Sequence, residues 1–232
     1  MTASLSGKKN HPEIAISSLI RAFHCPRQYY FLKNTEWKSS EKYSICKQIS
    51  VAEKDADEEN IWNTICMIHP DISPDKRPFL TSCLQAMITA PVRPWTDLDI
   101  TVHSNKLHLY GLLDKYDAGT GECTLTRCTP SPKTGCWPED RIRAAALLLC
   151  IWETGNGRPS GIYIEYIPSG IIRYYEPSPR DKRQVLLILR QIQKIENGEF
   201  PPKPMKPPCS WCRFEEKCKS HEPRRLSGLF KK

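Results

Sequence analysis

The sequence lacks a long apolar segment and a recognisable export signal. Its longest apolar run, Ala144–Trp152, has nine residues, about half of the ~20 that a membrane-spanning helix needs. The first ten residues, MTASLSGKKN, contain no apolar core before a small-residue cleavage site, as a secretory signal would. We therefore expect a cytoplasmic protein that does not associate with a membrane.

Apolar and acidic residues are also modest in number. Hydrophobic residues make up 39% of the 232 residues, and the 26 Asp and Glu are outnumbered by 34 Lys and Arg. The chain is long enough for one domain, or two at most, with a sizeable core. Its net charge of +8 is compatible with a nucleic-acid partner, although charge alone does not establish one.

Cysteine, in contrast, is abundant. The chain contains eleven cysteines, an odd number, and a reducing cytosol would not keep them in disulfides. Ligation of a metal or of a metal cluster is therefore the leading explanation for some of them.

The hydrophobic pattern predicts a mixed α/β domain. Helices come first, then three strands, a helix, two strands and a final helix, an order unlike a regular doubly wound repeat. The final helix is the best marked, with Ser178 as N-cap, Pro179 in its first turn and Gly198 beyond its end. Helices are predicted to start near Ser18, Pro138 and Pro179, and two more helical segments to cover 41–69 and 78–90. The predicted strands are a hairpin around 100–109 and single strands over 123–129, 161–167 and 171–176.

Composition also suggests boundaries. Residues 1–13 are predicted to form a flexible leader and 221–232 a basic tail, with one domain over 14–220 between them. Within that domain we distinguish a helical part, an α/β core and a cysteine segment, at 14–97, 98–198 and 199–220.

The cysteine segment has ligand spacing. Cys209, Cys212 and Cys218 form C-x2-C-x5-C, and closely spaced thiolates are what a soft metal or an iron–sulfur cluster requires. Three cysteines leave such a site one ligand short. The fourth could be Cys25 or, in a zinc site, His221; free thiols are the third alternative.

Several of these segments together resemble a known family. Cys25-Pro-Arg-Gln-Tyr-Tyr30, Gly111-Leu-Leu-Asp114, Ile164-Glu-Tyr166 and the final C-x2-C-x5-C resemble the CRISPR-associated RecB-like exonucleases over about residues 14–220. The resemblance implies the PD-(D/E)XK fold of restriction endonucleases, with a mixed sheet flanked by helices. It also implies a 4Fe–4S cluster held by Cys25, Cys209, Cys212 and Cys218, a role in antiviral defence, and partners in the spacer-integration machinery.

The family's catalytic positions are mostly replaced in this chain. In the family, a His, an Asp, a second acid, a Lys and a Gln serve Mg²⁺- or Mn²⁺-dependent hydrolysis of DNA. Only the Asp is retained, as Asp114. The positions of the His, the second acid, the Lys and the Gln are occupied, respectively, by Ser50, Thr126, Cys128 and Arg141.

Two alternatives could restore part of this site. A shifted register would place Lys133 at the lysine position and Ser131 at the acid position, but prolines on both sides of Ser131 suit a loop better than a central strand. A displaced carboxylate is the other alternative, and the candidates are Glu122, Glu139 and Asp140. Without a metal, Asp114 would pair with Lys115 or Arg127.

These features predict a catalytically degenerate member of the family that binds DNA, either single strands or ends. The predicted phosphate contacts surround the former cleft: they are Arg127, Lys133, Arg141 and Arg143. The alternatives are an active single-strand DNA exonuclease with a displaced carboxylate, and a zinc-stabilised protein of the same fold with no link to DNA.

Overall fold

The computed structural model describes residues 13–35, 40–52, 56–90, 92–154, 157–205 and 207–221. Apart from Glu13 and His221, the predicted leader and tail lie outside these ranges. Within them, no helix is both long and apolar enough to cross a membrane.

A six-stranded mixed sheet forms the centre of the domain. Strand β3 pairs antiparallel with β2 along one edge; on its other edge it pairs parallel with β1 near its start and antiparallel with β4 near its end. The sheet continues with β5 parallel to β4 and β6 antiparallel to β5. The strands are β1 Ile14–Ala15, β2 Asp97–Ser104, β3 Leu109–Asp117, β4 Glu122–Arg127, β5 Ile162–Tyr166 and β6 Ile171–Tyr175.

Helices flank this sheet and divide the interior into two apolar clusters. The larger cluster joins the sheet to α1, α6 and α7, and the smaller one joins α3, α4 and α5 around Ile167. The helices are α1 Ile16–His24, α2 Pro26–Leu32, α3 Glu41–Val51, α4 Glu58–Ile68, α5 Arg77–Met87, α6 Pro138–Thr154, α7 Pro179–Glu196 and α8 Glu215–Ser220.

Local sequence explains two of the contacts that fix this arrangement. Ser178 and Asp181 form a reciprocal capping box at the start of α7, as their spacing predicts. Gly111 lies where α1 meets β3, and a Cβ atom there would be only 2.5 Å from Cδ1 of Ile16. A glycine at this position therefore lets the first helix pack directly on the central strand.

The predicted mixed α/β class is confirmed, and several element boundaries need correction. Helix α1 begins at Ile16, two residues before the predicted start near Ser18. The predicted helical segment 41–69 is two helices, α3 and α4. Strand β4 ends at Arg127 and not at Thr129, because its parallel partner β5 ends at Tyr166, opposite Arg127. The short β1 and α8 were not predicted, and Ser131 and Lys133 lie outside any strand.

Candidate functional site

The carboxylate of Asp114 is buried on β3, beneath helix α3. Its Oδ2 accepts the backbone N–H of Thr126 at 2.7 Å, and its Oδ1 accepts the hydroxyl of Tyr43. Lys47, one turn beyond Tyr43, places Nζ 3.4 Å from the same Oδ1 and 2.5 Å from the backbone carbonyl oxygen. Both carboxylate oxygens are therefore engaged by the protein's own donors.

The environment of Tyr43 and Lys47 favours this arrangement. Burial, followed by the charge of Asp114, raises the pKa of Tyr43 well above its usual value, so its hydroxyl remains a neutral donor. Lys47 also pairs with Asp99 at 3.0 Å. The expectation that Asp114 pairs with Lys115 or Arg127 is wrong, because those two cations have other partners.

A second buried polar network lies beside Asp114. Lys115 Nζ is 2.8 Å from Glu165 Oε1, and both side chains are completely shielded from solvent. The Ser50 hydroxyl donates to Glu165 Oε2 at 2.6 Å, and the Thr126 hydroxyl donates to Ser50 Oγ at 3.1 Å. Glu165 also accepts the backbone N–H of Arg93, so both of its oxygens are occupied.

Sequence reasoning missed this Lys115–Glu165 pair. Desolvation by burial lowers the pKa of Lys115, and the charge of Glu165 opposes that effect. A signal was present in Ile164-Glu165-Tyr166, since a charged residue inside a buried strand requires a partner. The identity of the partner depends on the sheet, because β4 lies between β3 and β5.

The predicted catalytic positions are only partly brought together. Ser50, Asp114 and Thr126 are neighbours, as the resemblance implies. Cys128, in contrast, packs against the smaller apolar cluster. Arg141 donates to Tyr175 and to Asp181 at the start of α7.

The candidate displaced carboxylates have different surroundings. Glu122 forms an ion pair with Arg93. Asp140 is fully buried, lies 2.6 Å from Arg127 Nε and accepts the hydroxyl of Tyr166. Glu139 is only partly buried, and no contact draws it towards Asp114.

The four cations predicted to contact DNA also differ in their partners and exposure. Arg127 pairs with Asp140 and Arg141 with Asp181. Burial, followed by the charge of Arg127, lowers the pKa of Arg143 to about 10, while the charges of Asp140 and Asp114 oppose that shift. Lys133 alone among the four is fully exposed. Three of these side chains therefore face acids of the same chain.

The four predicted cysteine ligands line one pocket. Cys25, Cys209, Cys212 and Cys218 are joined there by Arg27, Phe31 and Phe214, among others. Cys25 is the N-cap residue of α2. Burial raises the pKa of its thiol, backbone N–H groups of Gln28 and Arg27 oppose that effect, and the neighbouring Cys212 and Cys218 add to it.

Contacts between the two ends of the domain build this pocket. Arg27 Nε donates to the carbonyl of Pro201 at 3.1 Å, and its Nη1 lies 3.5 Å from Cys218 Sγ. The Tyr29 hydroxyl donates to Glu196 at 2.8 Å. The rings of Phe31 and Phe214 stack with their centres 5.5 Å apart. Helix α2 is thereby fixed against the segment that follows α7.

The lining of this pocket includes four thiols, the donor type that soft metals and iron–sulfur clusters take. Across the described ranges, no group of three or more His, Cys, Asp or Glu is placed to hold a metal ion. His221, the alternative zinc ligand, contacts the carbonyl of Lys217 through Nδ1 and does not line the pocket.

The remaining cysteines belong to the interior or its margin. Cys46, Cys83, Cys123 and Cys150 are almost fully buried in the two apolar clusters, so they act as small core residues. Cys66 is partly buried and packs at the margin of the smaller cluster.

Comparison with known proteins identifies the fold but not a family. Neither a protein-family model nor a curated protein matches the sequence. Among solved structures, the crystal structure of a protein described as a putative exonuclease from Eubacterium rectale superposes with a TM-score of 0.56. The match covers 99% of each chain at 11% sequence identity. The chain thus shares the fold of this putative exonuclease.

Proposed function

We propose that this protein is a cluster-containing, catalytically degenerate relative of the CRISPR-associated RecB-like exonucleases that binds DNA without cutting it. The supporting observation is the state of Asp114, the one retained catalytic position. Its carboxylate oxygens accept from Tyr43, Lys47 and Thr126. Because Mg²⁺ requires several oxygen ligands in octahedral geometry, a carboxylate already engaged in this way is a poor metal ligand.

The replaced neighbours support the same proposal. Ser50 and Thr126 stand where the resemblance expects a His and an acid, and both are tied into the network of Glu165. Glu165 itself is neutralised by Lys115. In this proposal, a buried ammonium group and hydroxyls replace the Mg²⁺ or Mn²⁺ ions of an active nuclease.

The proposed cofactor is a 4Fe–4S cluster bound by Cys25, Cys209, Cys212 and Cys218. When bound, such a cluster would act as a structural link, because its ligands come from opposite ends of the domain. Arg27 Nη1 lies 3.5 Å from Cys218 Sγ, and this cation would offset part of the cluster's negative charge. We place this chemistry in the cytoplasm, where thiols stay reduced.

The proposed partners are single-stranded DNA or DNA ends, together with proteins of the spacer-integration machinery. The net charge of +8 favours a polyanion. The structural neighbour is described as a putative exonuclease, so the competing function is metal-dependent cleavage with a displaced carboxylate such as Glu139.

The deciding experiment combines metal analysis with a DNA assay on one anaerobic preparation. Iron and zinc are counted and the visible spectrum is recorded; the same sample is then incubated with single-stranded DNA and Mn²⁺. We expect about four irons per chain with absorbance near ~400 nm, salt-sensitive DNA binding and no cleavage.

The matched variant is Asp114→Asn, which keeps the shape of the side chain and an oxygen acceptor for Thr126. Cleavage by the wild type that disappears in this variant would show an active enzyme. One zinc without iron would refute the cluster, and absence of DNA binding at low salt would refute the DNA-binding role.

A further inference from the structure

Helix α7 carries a row of basic side chains on its outer face. Arg180, Arg183, Arg190 and Lys194 are all exposed. Their separations of three, seven and four residues place them on one face of an α-helix. Leu187, on the same face, is also exposed, while the opposite face packs into the larger apolar cluster.

No acid of the helix neutralises this row. Asp181 is buried and accepts from Arg141, Tyr175 and Ser178. Glu196 accepts from Tyr29 and pairs with Lys33. Within the described part of the chain, none of the four basic side chains has a hydrogen bond or an ion pair.

Two arginines of the former cleft differ from this row in that respect. Arg127 pairs with Asp140 and Arg141 with Asp181, so a phosphate contact at either would require breaking an existing pair. The cations of α7 are free to bind an external anion at no such cost. Arginine is well suited to this role, because its planar fork matches the oxygens of a phosphate.

We propose that this outer face of α7 is the surface that binds the phosphate backbone of nucleic acid. The proposal rests on the DNA-binding function proposed above and moves the contact away from the former active site. The row covers 14 helical steps, about 21 Å at a rise of ~1.5 Å per residue, so it can follow several successive phosphates. Gln184 and Gln191, both partly exposed on the same face, add neutral donors beside the cations.

The test compares two triple variants of equal charge. The first is Arg183→Gln, Arg190→Gln and Lys194→Gln. The control is Lys106→Gln, Arg158→Gln and Lys219→Gln, three exposed cations on other elements. Each variant lowers the formal net charge from +8 to +5, so a general effect of charge changes both equally. Circular dichroism and the thermal midpoint verify that both fold.

Binding of a 20-nucleotide single strand and of its duplex is measured by fluorescence anisotropy at several salt concentrations. At about 0.1 M salt we expect the α7 variant to bind the single strand at least ~10-fold more weakly than the control. The slope of log K against log salt is negative, and its magnitude should decrease by about 2, since each of the three lost phosphate contacts on a single strand contributes ~0.7.

Each other outcome overturns the inference in a distinguishable way. Equal binding by the α7 variant and the control would place the nucleic-acid surface elsewhere while leaving the DNA-binding function intact. Failure of the wild type to bind either probe would refute the proposed function as well. Binding of vesicles containing phosphatidylserine but not of DNA, lost in the α7 variant, would identify α7 as a membrane-binding surface instead.

Discussion

The two polar regions of this domain differ in how far their groups are satisfied by the protein itself. Around Asp114 and Glu165, every carboxylate oxygen accepts a hydrogen bond from the same chain, and Lys115 is completely shielded. In the cysteine pocket, four thiols are among the lining groups, and Arg27 contacts one of them. The acids of the first region are satisfied by the chain itself, whereas the second region holds the four cysteines proposed as cluster ligands.

A family resemblance alone assigns a metal to both regions. Hydrogen bonding distinguishes them, because a carboxylate that is already neutralised gains little from a cation, whereas ionised thiols held near one another would be stabilised by a bound metal. The comparison therefore yields different expectations for stability and for metal content.

The largest effect is expected at the buried ion pair. Lys115→Met leaves Glu165 charged and without its cation, and breaking such a pair costs about 3–5 kcal/mol. The measurement is the free energy of unfolding in urea. The double variant Lys115→Met, Glu165→Gln removes both charges while the amide still accepts from Ser50, and it should recover most of the loss. Its failure to recover would show that the pair is not the source of the effect.

A smaller and pH-dependent effect is expected at Asp181. Burial raises the pKa of this carboxyl, but hydrogen bonds from Ser178, Tyr175 and Arg141 outweigh it and leave the pKa at about 2. Because the pKa is lower in the folded state than its unfolded value of about 3.9, the charged form stabilises the fold above pH ~4. That contribution is lost as the pH falls through about 2.

The free energy of unfolding of Asp181→Asn at pH 7 should therefore be about 2 kcal/mol lower than that of the wild type. The difference should shrink towards zero between pH ~4 and ~2, as measured by urea unfolding at each pH. Asp71→Asn, which alters an exposed acid in a turn, serves as the control. A difference for Asp181→Asn that does not vary with pH would contradict the assigned cause.

The smallest effect on stability is expected at Cys25, together with the largest effect on metal content. Serine is a preferred N-cap residue, so Cys25→Ser retains the start of α2 while removing one thiolate. In the iron-free protein, this substitution should change the free energy of unfolding by less than about 1 kcal/mol. The anaerobically purified variant, however, should lose its iron, which Lys115→Met should retain. Wild-type iron content in Cys25→Ser would remove Cys25 from the ligand set.

Much of the fold could be predicted from local sequence. The capping box and the apolar positions of α7 determine that helix, and its apolar side chains from Val185 to Ile195 that repeat every three or four residues are buried. Strand β1 could not be predicted, because two residues show no periodicity and pair only once β3 exists. The end of β4 likewise depends on where its partner β5 ends.

The candidate site was less predictable for the same physical reason. The spacing of Cys209, Cys212 and Cys218 is local, so it was visible in the sequence. The contacts of Asp114 with Lys47 and of Lys115 with Glu165 join residues 67 and 50 positions apart. Such contacts are set by sheet order and helix placement. Neither the periodicity nor the composition of a sequence shows which of several cations will pair with a given acid in the folded protein.

The contacts between α2 and the last segment have a consequence for synthesis on the ribosome. Arg27 and Cys218 are separated by 191 positions, so Cys25 emerges long before its partner cysteines have been made. At about 5–20 residues per second, that interval is roughly 10–40 seconds. During this time the Cys25 thiol is open to oxidants and to stray metals. Insertion of the proposed cluster would therefore have to wait until Cys218, the last of the four cysteines, has been made.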